Sequence, residues 1–153
     1  MNITDLLKVE SIVVGLTASS KDDLFEKMLR LAEKSGKIID FSKAQADLIE
    51  RENLMTTGIG NGIALPHAKT SGVIRNTAAF AVLKEPLSYM SMDGKDVNLV
   101  FLFLGNDSGV GIHLRILSKI SRILSNPYSS MKLLSAKTSE QALNYFMEFE
   151  KII

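Results

Sequence analysis

Apolar residues along this chain keep two periods, and the switches between them mark its elements. Residues 11–16 (SIVVGL) are a short β-branched run of strand length. Ser20 with Asp23 three positions later has the pattern of a helix start, and Leu24, Phe25, Met28, Leu31 and Ala32 then recur at helical spacing until Gly36. A second helix is predicted to follow Asp40 or Ser42. It carries Ala44, Leu48 and Ile49 on one face, holds Arg51 in its last turn and ends near Asn53. Residues 63–65 (IAL) predict a short strand stopped by Pro66. Residues 77–83 and 97–104 are apolar throughout, as in strands buried on both faces. The segment 92–96 (MDGKD) between them is a hairpin cue, so at least one antiparallel pair is expected. Residues 105–111 form a glycine-rich loop. A helix over 113–124 follows, with Leu114, Leu117, Ile120, Ile123 and Leu124 inward, and Pro127 lies just beyond it. Thr138 with Gln141 opens a last amphipathic helix through Phe149. Helices alternating with buried strands predict an α/β fold: a three-layer α/β/α sandwich, its mixed β-sheet covered by helices on both faces.

Composition narrows the chemistry. The 153 residues lie near the usual size of one domain, and no repeat or linker-like tract divides them, so a single domain over 1–153 is expected. Net charge is +1 and no Lys/Arg run supplies a basic face, which argues against nucleic acid as a partner. Cysteine is absent, which excludes disulfides, thiolate chemistry and cysteine-ligated zinc. The N-terminus lacks the basic and apolar regions of a signal peptide. The longest apolar run, VNLVFLFLG, is shorter than the roughly 18 residues a membrane helix needs, so the expected compartment is the cytoplasm.

Imidazole chemistry must pass through two residues, His67 and His113. His67 stands in GIGNGIALPHAKT (58–70), behind three glycines and Pro66. On the residues alone it is a surface histidine after a turn, half of a metal site, or a mounted nucleophile. The glycine spacing is G-x-G-x-G and precedes a strand, unlike a dinucleotide loop, and no Walker-type Gly-Lys-Ser/Thr occurs. The two histidines are 46 positions apart with no metal-binding spacing around either, and no Gly-x-Ser-x-Gly elbow is present. Two features favour the nucleophile. Proline fixes φ directly before the ring, and glycines such as Gly60 and Gly62 let backbone amides form an anion-binding nest. His113, taken to open its helix, sits where free amides and the helix dipole favour an anion. Arg51 and His113 also have plain structural readings, a solvated helix-end cation and a packed helix-start residue.

Read as one unit, ERENLMTTGIGNGIALPHAKT resembles the enzyme IIA domain of the fructose/mannitol/nitrogen-regulatory class of the phosphoenolpyruvate-dependent phosphotransferase system. The matching positions are Arg51-Glu52 at a helix end, Thr57 to Gly62, the apolar Ile63 to Leu65, and Pro66-His67-Ala68. The resemblance extends to DGKDVNLVFLFL and HLRILSKISRIL. It implies that His67 is the residue phosphorylated, that Arg51 sits beside the phosphate, and that His113 is the second active-site histidine. It implies no metal and no cofactor. The implied partners are the phosphocarrier protein HPr upstream and, downstream, a IIB component or a regulatory target, with membrane contact only through a transporter partner. The rival reading is a non-catalytic binding module of the same fold. One departure stands out: Gly105-Asn106 replaces the Ala-Pro that often follows the central strand in the family, which puts the shape of the next loop in question.

Overall fold

In a computed structural model, residues 2–106 and 110–152 are described. Their elements run α1 (Ile3–Leu6), a 3-10 turn (Val9–Ser11), β1 (Ile12–Leu16), α2 (Lys21–Glu33), α3 (Phe41–Leu54), β2 (Gly58–Gly60), β3 (Ile63–Ala64), β4 (His67–Lys69), β5 (Thr77–Leu87), β6 (Val97–Gly105), α4 (Val110–Ser125), α5 (Pro127–Ser135) and α6 (Ser139–Ile152). The expected caps form. Ser20 accepts a hydrogen bond from the Asp23 amide at 3.0 Å, Asp40 from the Lys43 amide at 3.0 Å, and Thr138 from the Gln141 amide at 3.1 Å. Of the two candidate starts for α3, Asp40 is the cap.

The strands form a mixed sheet in the order β1-β5-β6-β3-β2, with β4 also paired to β6. β1 runs parallel to β5, while β5 and β6 are antiparallel with Phe80 opposite Phe101. β3 and β4 both lie parallel to β6, one after the other along its length. Side chains on the two faces of β5 and β6 separate into two cores. Phe80, Phe101 and Phe103 pack with Ile120, Leu124 and Phe146 of α4 and α6 on one face. Ala79, Ala81, Val100, Leu102 and Leu104 pack with Leu24, Met28 and Leu48 of α2 and α3 on the other. Strands buried on both faces need no polar alternation, which is why residues 99–104 are uniformly apolar; the one polar residue of the run, Asn98, is only half-buried. The α/β/α layering expected from the sequence is therefore present. No helix of the described residues is long and apolar enough to cross a membrane.

Several local expectations need correction. β3 does end before Pro66 as expected, but pairing with β6 resumes directly after it, at His67–Lys69, as β4. Part of the glycine stretch is itself a strand, β2. Pro127 opens a helix, α5, with Asn126 as its cap, because proline is well suited to the first helical position. β5 continues to Leu87, beyond the apolar run. Leu114, expected inward, is 61% exposed, and Ile49 lies at the rim of its helix face, 36% exposed. Within the loop expected over 105–111, positions 107–109 lie outside the described residues.

Candidate active site

The site forms where helices from opposite layers meet at one place on the sheet. α3 belongs to one layer and ends in Arg51 and its neighbours; α4 belongs to the other and carries His113 as its fourth residue. β4 lies alongside the last residues of β6, with His67 opposite Phe103. Asp47, Glu50, Arg51, Leu54, His67, Ala68, Lys69, His113, Leu114 and Leu117 line a cleft of about 420 Å³. The three side chains expected to act together are thus brought together. The rings of His67 and His113 have centroids 6.0 Å apart.

The backbone decides which nitrogen of His67 is available. Its Nδ1 lies 2.8 Å from the Leu65 carbonyl oxygen. A carbonyl only accepts, so Nδ1 carries the proton and donates, and the lone pair is left on Nε2. Burial holds the ring's pKa below the usual histidine value; the Leu65 carbonyl acts in the opposite direction, and the Arg51 charge lowers it further. The neutral tautomer with a free Nε2 lone pair is the nucleophilic form. Pro66 holds this geometry from behind, its carbonyl accepting from the Phe103 amide at 3.0 Å.

His113 is buried against Phe103, with centroids 4.9 Å apart. Burial pushes its pKa down to about 4, with further lowering from the His67 and Lys69 charges, so the ring is neutral at pH 7. Its Nδ1 is buried without a hydrogen-bond partner among the described residues, which leaves Nε2 for the cleft. A Cβ at Gly105 would lie 2.6 Å from that Nδ1. The departure from Ala-Pro is therefore coupled to the seat of His113: the ring occupies space an alanine side chain would take.

Because both histidines bind protons less readily folded than unfolded, the sign of the stability change follows. Below pH 6.5 the unfolded chain takes up protons that the folded chain refuses, so stability falls as pH drops from about 6.5 towards 4. Urea unfolding across this range is expected to show that slope, and His113→Asn to flatten it. An unchanged slope in the variant would remove His113 from the account.

Arg51 extends from the last turn of α3, and its Nη1 donates to the Met55 carbonyl at 3.0 Å. The adjacent Glu52 was not singled out for a role by sequence reasoning, though it stands in the Arg-Glu pair. It is buried, and its carboxylate accepts from Lys21 Nζ at 2.8 Å, the Thr57 amide at 2.9 Å, the Thr57 hydroxyl and the Tyr89 hydroxyl at 3.2 Å. Burial alone would raise its pKa, but the Lys21 and Thr57 hydrogen bonds outweigh that and hold it below the ordinary carboxylate value. Tyr89, buried beside this charge, is pushed up. The network ties the end of α3 to the start of the glycine turn and so fixes where Arg51 emerges.

Gly60 and Gly62 do not line the cleft. They adopt φ of 101° and 81°, which glycine tolerates and a β-carbon disfavours. Their loop faces Asp93 and Asn98 instead, and the Asn61 amide donates to Asp93 Oδ2 at 2.9 Å. The expected anion nest thus serves a carboxylate of the β5–β6 loop, and the phosphate role assigned to Gly60 and Gly62 is corrected. Among the described residues no cluster of His, Asp and Glu has the arrangement of a metal site.

An open cleft with a neutral, backbone-oriented histidine, a guanidinium and a second imidazole has the equipment of a histidine-based group carrier. The profile described as "Phosphoenolpyruvate-dependent sugar phosphotransferase system, EIIA 2" matches residues 5–149, and the chain belongs to this family. It is 36% identical over 151 residues to a fructose-specific EIIA component of Haloferax volcanii, covering 97% of this chain and 98% of that protein. It is 33% identical to a nitrogen regulatory protein of Bradyrhizobium diazoefficiens, covering 92% and 91%. Against a fructose-specific EIIABC component of Bacillus subtilis it is 32% identical over 99% of its own length but spans only 24% of that protein. Among solved structures, the nitrogen regulatory protein IIA-Ntr of Neisseria meningitidis superposes with a TM-score of 0.88 at 31% identity, covering 94% of this chain and 98% of that one.

Proposed function

We infer that the chain is a phosphoryl carrier that takes phosphate from phospho-HPr onto His67 Nε2. It then passes the group to a IIB component of a sugar transporter or, as a nitrogen-type regulator, signals through its phosphorylation state. The observation that carries this reading is the hydrogen bond from His67 Nδ1 to the Leu65 carbonyl, which exposes a neutral Nε2 lone pair in the same cleft as Arg51 and His113. In the transfer the lone pair attacks phosphorus in line while the donor's N–P bond breaks and its electrons return to the donor nitrogen. Arg51 neutralises charge on the equatorial oxygens with a planar fork, and His113 offers its Nε2 side for a hydrogen bond. Neither step calls for a metal or an organic cofactor. We place the exchange in the cytoplasm, with membrane contact only through a transporter partner, and take residues 1–153 as one carrier domain. The gathered Arg51, His67 and His113 favour this over a non-catalytic binding module.

Incubation with enzyme I, HPr and phosphoenolpyruvate, followed by intact mass measurement, is expected to show one added phosphoryl group. The adduct should be labile in acid and stable in base, as a nitrogen–phosphorus bond is. No mass gain would overturn the carrier reading, and an acid-stable adduct would move the phosphate to a hydroxyl side chain.

A further inference from the structure

Lys69 stands two positions after His67 on β4. Alternation along a strand sends both to one face while Ala68 is buried on the other. Lys69 lines the cleft that holds Arg51, His67 and His113, and its charge contributes to the low pKa of His113. Other cations nearby are already engaged. Lys43 pairs with Asp47 at 3.0 Å, Lys21 with Glu52 at 2.8 Å, and one Arg51 nitrogen donates to the Met55 carbonyl. The Lys69 ammonium has no hydrogen bond or ion pair among the described residues.

A phosphoryl group brings about two negative charges at neutral pH. The cleft already contains the carboxylates of Asp47 and Glu50, of which Asp47 is compensated by Lys43. Arg51 alone balances one charge of the incoming group and leaves the other uncompensated. We propose that Lys69 is a second phosphoryl-binding cation, its ammonium donating to a phosphoryl oxygen during transfer and in the phosphorylated protein. The inference rests on the reading of His67 as the acceptor. No proton moves through Lys69: one N–P bond breaks at the donor and one forms at His67 Nε2, and the ammonium stabilises charge throughout. The role suits lysine, a mobile point charge able to follow the group as it arrives and leaves.

Lys69 is exposed, so its replacement leaves the core intact. Single-turnover acceptance from phospho-HPr at saturating donor is expected to slow by about tenfold to a hundredfold in Lys69→Gln, the range for losing a hydrogen bond to a charged group. Lys69→Arg should recover most of the rate. A ³¹P NMR titration of the phosphorylated proteins should show the phosphoryl pKa raised in Lys69→Gln, because a lost cation no longer favours the dianion, and restored in Lys69→Arg. A Lys69→Gln protein with the parent's saturating rate and the parent's ³¹P titration would overturn the inference, and a change confined to the KM for the donor would replace it with a docking role. A parent protein that takes no phosphate would overturn the carrier reading together with this inference, a result distinct from a parent that reacts and a Lys69→Gln variant that matches it.

Discussion

His67→Ala is expected to take up no phosphate from phospho-HPr while retaining the fold. The residue presents its Nε2 lone pair to the cleft in nucleophilic form, since its Nδ1 is committed to the Leu65 carbonyl. His113 does not replace it: its ring is buried, and Nδ1 lies against Gly105. Structurally His67 is half-buried and belongs to a three-residue strand, so its loss removes one hydrogen bond and little packing. That corresponds to about 1 kcal/mol of stability. Intact mass after incubation reads the first part and urea unfolding the second. Phosphate uptake by a folded His67→Ala protein would overturn the assignment.

Arg51→Ala should slow phosphoryl transfer by about a hundred- to a thousandfold, the range for removing a preorganised donor from a developing oxyanion. Arg51→Lys should restore only part of this, because an ammonium has neither the planar fork nor the reach to hold two oxygens at once. Arg51 also caps the end of α3 through the Met55 carbonyl, so the variant loses stability as well, by about 0.5–1.5 kcal/mol. The two effects separate in single-turnover experiments well below the unfolding temperature, where a folded variant with a normal rate would return Arg51 to a purely capping role.

The long elements were legible because their apolar spacing reflects burial directly. Helix α2 is amphipathic and begins after Ser20 as its cap pattern requires, and β6 is apolar from Leu99 to Leu104 because helices cover both its faces. Short elements were less legible. β2 and β4 have three residues each and exist because β3 and β6 offer them partners, a condition that three residues of sequence cannot express. Leu114 fits the helical period, yet it is exposed: it stands at the mouth of the cleft, where no facing layer covers it.

For the site, the chain's own residues determined what chemistry is available. Two histidines and no cysteine confine imidazole chemistry to His67 and His113 and exclude thiolate chemistry, and proline before His67 predisposes its backbone. Tertiary structure decided how these groups are used. The sheet order sets β4 beside the end of β6, so Arg51 from one layer and His113 from the other converge on His67. The Glu52 network closes through Lys21 and Tyr89, which lie 31 and 37 positions away along the chain. The glycine loop had been expected at the phosphate, and its amide went to Asp93 instead. Local sequence encodes which face of an element is apolar and which backbone angles a residue tolerates. Which carboxylate reaches an amide, or which helix end reaches a ring, depends on distances that only the packed layers establish.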